Sequence, residues 1–229
     1  MTTYLLINIF IILIPLILSF EKNVKFYKKF SNVFATILIV GIIFIIWDIV
    51  AVKRGDWSFN TDFTFNKTLF GLPFEEILFF ITVPYSIIFV YESLSFYFKD
   101  KKYNVSKFIY LIFAFIFIAL ALINFDRNYT FTLLLYCGLI FLTSFFGIHK
   151  VMFTRVILIT LLISFIPFLI VNYILTSLPV VEYNPEAITG IRVSTIPIED
   201  FFYSFSMITS WLIVYNFLKT RRVEKTSAI

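Results

Sequence analysis

Charge is scarce in this chain. Only 14% of its 229 residues are Asp, Glu, Lys or Arg, against about a quarter in an ordinary soluble domain. That shortage excludes a conventional solvated surface. With 60% hydrophobic and 21% aromatic residues, the apolar surface exceeds what one small core can hide, so lipid is the expected solvent. Cysteine is nearly absent. Cys137 stands alone in an apolar run, so an intrachain disulfide is excluded and a packed thiol is expected. The single His149, beside Lys150 in a short loop, cannot make a metal site alone and reads as interfacial. No metal is expected. There is no Gly-x-Gly-x-x-Gly, no P-loop and no Asp-Asp-x-x-Asp, so neither a dinucleotide fold nor a magnesium–pyrophosphate site is signalled. A retinal Schiff base needs a lysine inside the membrane, and the last apolar run contains none.

What the chain does have is apolar runs of spanning length. Seven are expected to cross a bilayer: Tyr4–Phe20, Val33–Val52, Glu75–Phe98, Ser106–Asn124, Tyr129–Gly147, Val156–Thr176 and Ile198–Leu218. Met1 to Tyr4 carry no Lys or Arg, and no small-residue cleavage site precedes Glu21. The first run is therefore expected to be a retained span rather than a signal peptide. Of the 19 Lys and Arg residues, most fall in the loops after the odd-numbered runs and in the C-terminal tail. The net charge of +5 thus reads as membrane orientation and not as a nucleic-acid surface. It places the C-terminus in the cytoplasm, the N-terminus outside, and the two long loops, Lys53–Leu72 and Ser177–Ile196, on the outer side of the cell membrane.

The chain also echoes itself. Shifting it by 124 positions lays Leu72-Pro73-Phe74-Glu75-Glu76 on Ile196-Pro197-Ile198-Glu199-Asp200. The same shift pairs Asn60 with Asn184, Val90-Tyr91 with Val214-Tyr215, and Asp48 with Asn172. This predicts an all-α integral membrane protein made of two parallel three-helix repeats, residues 1–100 and 128–229. A linker helix in 101–127 joins them and restores the orientation of the second, giving a three-plus-one-plus-three layout.

Acids in or beside a span are costly unless paired, hydrated or used. Glu92 is expected to be interfacial and structural. Asp48, Glu75, Glu76, Glu199 and Asp200 gather at the outer ends of their helices. Pro73 and Pro197 suit the first turn of a helix, where the missing N–H is not needed. Acids there are also favoured by the helix dipole. Both acid pairs run straight into aromatics, however: Phe79-Phe80 and Phe201-Phe202-Tyr203. Steps of three and four from Glu75 reach Phe79, Thr82 and Ser86; from Glu199 they reach Tyr203, Ser206 and Ser210. The two helices are expected to face each other along these stripes, clustering four carboxyls in an aromatic setting. A carboxyl held protonated in such a place is what a general acid needs.

Trp47-Asp48, Trp57-x-Phe59, Leu72-Pro73-Phe74-Glu75-Glu76-x-x-Phe79-Phe80 and Tyr91-Glu92 resemble the membrane lycopene cyclase family of the heterodimeric type. Nearly the whole chain resembles its fused single-chain form. The resemblance implies lycopene β-cyclase activity in carotenoid biosynthesis: a carboxylic acid protonates the terminal double bond of lycopene, a neighbouring alkene attacks the cation, and a base removes a proton, giving γ- and then β-carotene. It implies Glu75 and Glu199 as the essential acids, Glu76 and Asp200 as their partners or bases, and Asp48 as a fifth member. Trp47, Phe79, Phe80, Tyr203, Pro73 and Pro197 are the expected substrate contacts. No cofactor is evident, and a reduced flavin in a non-redox role stays open. The expected partners are the carotenoid, membrane lipid and other carotenoid-pathway enzymes. Three alternatives remain: a small three-plus-one-plus-three transporter, for which Pro84 and Pro167 would be the helix-breaking prolines inside spans, a related carotenoid-modifying enzyme, and a carotenoid-binding membrane protein.

Overall fold

The computed structural model describes residues 1–65, 67–148 and 153–227. His149 and Lys150 lie outside the described residues. Seven α-helices account for most of the rest: α1 Thr3–Leu18, α2 Phe30–Arg54, α3 Phe74–Tyr97, α4 Lys107–Ile123, α5 Asn128–Thr143, α6 Arg155–Ser177 and α7 Ile198–Ser227. A 3₁₀ turn, Phe26–Lys29, leads into α2, and a π turn, Ser144–Ile148, extends α5.

Five of these helical segments are long and apolar enough to cross a membrane. The sequence predicts seven, and the two that fall short are α1 and α4, at 16 and 17 residues. At about 1.5 Å per residue they rise less than the roughly 30 Å of a bilayer's hydrocarbon core. α1 stops early because Ser19 ties its end to α3: the Ser19 hydroxyl bonds the Pro15 carbonyl at 2.7 Å and the Tyr85 hydroxyl at 2.5 Å. Both short helices still present apolar side chains outward, among them Phe10 and Ile14 on α1 and Phe115 and Leu122 on α4. With similar residues on α2 and α6, these make the outer belt of a multi-pass membrane protein.

α1 packs on α3, α4 on α5, and α2 on both α3 and α7. Gly138 allows the close approach of α4 and α5, since a Cβ there would stand 2.8 Å from the Ile118 side chain. Gly55, at φ +76°, ends α2 by entering the left-handed region that its lack of a Cβ permits.

Short strands cap one end of the bundle. β1 (Trp57–Phe59) pairs antiparallel with β4 (Val181–Tyr183), so the long loops after α2 and α6 meet. Two small hairpins lead into the acid-bearing helices: β2 (Thr68–Leu69) with β3 (Leu72–Pro73), and β5 (Arg192–Val193) with β6 (Ile196–Pro197). Hydrogen bonds recur here at positions 124 apart. Asn60 donates its N–H to the Val180 carbonyl at 3.0 Å, while Asn184 donates its own to the Asp56 carbonyl at 2.9 Å.

Candidate functional site

Helices α3 and α7 start at the hairpins, and that fixes which acid points where. Neighbouring helix residues diverge by roughly 100°, so the two acids of each pair cannot share a direction. Glu75 and Glu199 point back under the loops. One Glu75 carboxylate oxygen accepts from the Thr2 hydroxyl and the Phe65 N–H, both at 2.7 Å. One Glu199 oxygen accepts from the Thr130 hydroxyl and the Thr189 N–H, both at 2.7 Å, and from the Thr189 hydroxyl at 2.8 Å. Each acid thereby fastens a loop to the start of a helix. The second oxygen of each is buried with no hydrogen-bond partner.

Glu76 and Asp200 instead enter a cavity of about 290 Å³, together with Asp48. The Tyr4 hydroxyl donates to Glu76 at 2.5 Å. Asp200 accepts from Tyr129 at 3.0 Å and from Tyr183 at 2.8 Å. Asp48 accepts from Tyr203 at 3.1 Å, and its carboxyl meets that of Glu76. All three acids are almost fully buried. Tyr183 lies in β4, outside the helices. Burial first, and then the adjacent Asp200 charge, push its hydroxyl well above the ordinary tyrosine range, so it stays a donor.

Phe79, Tyr203 and Trp57 also line the cavity, and most of its remaining wall comes from apolar residues of α1, α3, α6 and α7. Phe10, Ile14 and Ile163 line it and are exposed as well, so it opens on the apolar belt between α1 and α6. Trp47 and Phe80 lie elsewhere, packed around Phe44 in the core. Pro73 and Pro197 are buried in the hairpins, paired with Thr68 and Arg192.

The structure differs from the sequence reading in how the hydroxyl stripes face. Thr82 donates to Asn8 and Ser86 to the Ile11 carbonyl, both on α1. Ser210 meets Tyr136 on α5. Each stripe packs against a helix of its own half, because small hydroxyls suit the tightest helix contacts. The four-carboxyl cluster is replaced by three cavity acids plus two loop-fastening ones. Asn172, at the position matching Asp48, lines the cavity too and donates to its own helix at Phe168.

Tyr4, Tyr129 and Tyr183 are what sequence reasoning missed. Tyr4 and Tyr129 do the same work in the two halves, but they stand one residue away from the 124 shift, so a gapless comparison pairs Tyr4 with Asn128. Glu92, at the other end of α3, is buried and paired with Lys29 and with Lys219, the latter at 2.5 Å. It serves as a structural anchor there. Among the described residues, no three His, Cys, Asp or Glu side chains group as a metal site.

A multi-helical membrane protein with buried carboxyls at the end of an apolar cavity is the class defined so far. The sequence model of the lycopene cyclase family matches residues 1–94 and 126–218, and the chain belongs to that family. Membership supports a carotenoid cyclase role with a carotenoid substrate. No curated protein and no solved structure matches the chain.

Proposed function

We propose that this protein is a lycopene β-cyclase of the fused single-chain form, an isomerase that closes rings at the ends of lycopene without net oxidation. The observation that carries the reading is the cavity itself: three carboxyls held by tyrosine hydroxyls, in apolar and aromatic walls, opening sideways on the lipid belt. A membrane-dissolved polyene can reach such a site without crossing water.

Asp48 and Glu76 are buried in one cavity, where two carboxyls that share a low-dielectric site resist ionising together, so in this reading that pair supplies the proton. It is delivered to the terminal carbon–carbon double bond, leaving a tertiary carbocation. The neighbouring alkene attacks that cation, forming the ring bond and moving the positive charge into the ring. Asp200, whose oxygens accept from two tyrosine hydroxyls, is the base that removes a ring proton, and the electron pair of that C–H bond becomes the ring double bond. The faces of Phe79 and Tyr203 stabilise the cation in between. One proton enters and one leaves, so a flavin, if bound, would act in a non-redox role. In this reading Glu75 and Glu199 are positioning residues that hold the loops and helix starts.

The same reading takes the halves as two parallel repeats, 1–100 and 128–229, joined by the linker helix within 101–127. The family match in two segments and the hydrogen bonds recurring at positions 124 apart support it. In this reading α1 and α4, too short to cross as helices alone, cross together with the residues that flank them, so seven segments traverse the membrane with the strand-capped end outside and the C-terminus in the cytoplasm.

The test is pigment analysis of a lycopene-accumulating bacterial host expressing the chain. The expected result is γ- and β-carotene, lost in Glu76→Gln. Unchanged lycopene with the protein present in the membrane would refute the assignment.

A further inference from the structure

The cavity is two-sided at its polar end and one-sided beyond it. Glu76 and Asp200, Asp48 and Asn172, Phe79 and Tyr203 are pairs 124 apart in sequence, and all six line the polar end. From there the apolar part runs past Ile11, Ile87, Val171 and Ser204, between α1, α3, α6 and α7. If the halves were alike, an equivalent passage would run between α5, α7, α2 and α3. The matching positions there are Tyr136, Trp211, Trp47 and Phe80. The last three follow the 124 shift, and Tyr136 follows the register that pairs Tyr4 with Tyr129.

At these four positions a small or aliphatic residue of the open side has an aromatic counterpart on the other. Those aromatics close around Phe44. Its ring centroid lies 5.6 Å from Tyr136, 5.8 Å from Trp47, 6.1 Å from Trp211 and 6.2 Å from Phe80. Phe44 and Trp211 are 0% exposed and Phe80 1%. Where Phe168, the counterpart of Phe44, lines open space, Phe44 is fully surrounded.

We propose that the chain has one working chamber, on the α1–α6 side, and that Trp47, Phe80, Tyr136 and Trp211 plug its counterpart. A long polyene with two equivalent ends then has only one end processed per visit. The half-reacted molecule returns to the lipid and re-enters turned around. The one-end-per-visit part rests on the cyclase reading above. The one-chamber part does not.

The experiment uses the purified full chain in detergent, saturated with lycopene and separated from free pigment by gel filtration. Absorbance then gives the polyene-to-protein ratio. One per chain is expected, falling toward zero in Val171→Trp, which puts the plug's own tryptophan into the open chamber. Ser204→Phe is the smaller change and is expected to lower the ratio if Val171→Trp fails to fold. A wild-type ratio of zero or two, or full binding in both variants, overturns the single chamber. A chase then tests turning: deuterated lycopene is supplied first, then excess unlabelled one-ringed product. A fall in the amount of labelled two-ringed product, with labelled one-ringed product building up, is expected; an undiminished amount of labelled two-ringed product overturns release between ends. No ringed product at a binding ratio of one would fail the cyclase reading alone and leave the chamber assignment standing.

Discussion

Tyr203, on α7, donates its hydroxyl across the protein to Asp48 on α2, at 3.1 Å. These residues belong to different halves, so the cavity's acids are assembled jointly by both. Tyr203→Phe removes one donor and leaves the ring. Conversion of lycopene is expected to fall about tenfold, equivalent to ~1.4 kcal/mol of barrier, with the protein amount in membranes unchanged. Quantified pigment per unit of protein checks this.

The two acids of each vicinal pair are expected to separate by assay. Glu76→Gln and Asp200→Asn remove the groups proposed to move protons and should lower turnover roughly 10²–10⁴-fold. Glu75→Gln and Glu199→Gln keep an acceptor oxygen for the loop but place an amide where the free carboxylate oxygen has no partner. They should cost about 1–3 kcal/mol in stability and show as a lower melting temperature in detergent, with ringed product still formed. Full loss of product in a well-folded Glu75→Gln would return that residue to a chemical role.

Glu92 joins Lys29 and Lys219 at the end of α3 away from the cavity. Glu92→Gln leaves both ammonium groups short of a counter-charge. They are 30% and 37% exposed, so water relieves part of the cost, and the loss should be near 1–3 kcal/mol rather than the roughly 3–5 of a fully buried pair. A melting-temperature drop with unchanged product ratios is the expected outcome.

Gly138→Leu tests the seat of α4. The added side chain meets Ile118 and the Ala114 carbonyl and should push α4 from α5 at a cost of about 1–3 kcal/mol. Cysteine pairs across α4 and α5 that crosslink in the parent background should crosslink more slowly in the variant.

Orientation can be read directly. A C-terminal alkaline phosphatase fusion is expected to be inactive and a C-terminal green fluorescent protein fusion bright, since the basic tail is expected in the cytoplasm. The reverse pattern would invert the proposed topology.

Much of the fold was legible because membrane segments announce themselves by run length, and acid pairs stand out against so apolar a background. Helix ends were less legible. The first span read as far as Phe20, but the helix stops at Leu18, where Ser19 bonds Tyr85 on α3, 66 positions along the chain. The aromatic run Phe79-Phe80 read as one substrate-facing unit. Its members diverge, Phe79 to the cavity and Phe80 to the core around Phe44, because consecutive residues of a helix cannot face one way.

The sequence by itself determined the solvent, the helical class, the family and the placement of acids at helix mouths, all of which follow from composition and local spacing. Only the tertiary structure decided which acid of each pair meets the cavity, since that depends on how α3 and α7 are rotated by their hairpins. It alone brought Tyr4 to Glu76 and Tyr129 to Asp200, through hydrogen bonds about 70 residues apart in sequence that no local pattern encodes. And it alone brought Trp47, Phe80, Tyr136 and Trp211 together around Phe44, because contacts among four helices are set by how those helices pack and not by spacing along the chain.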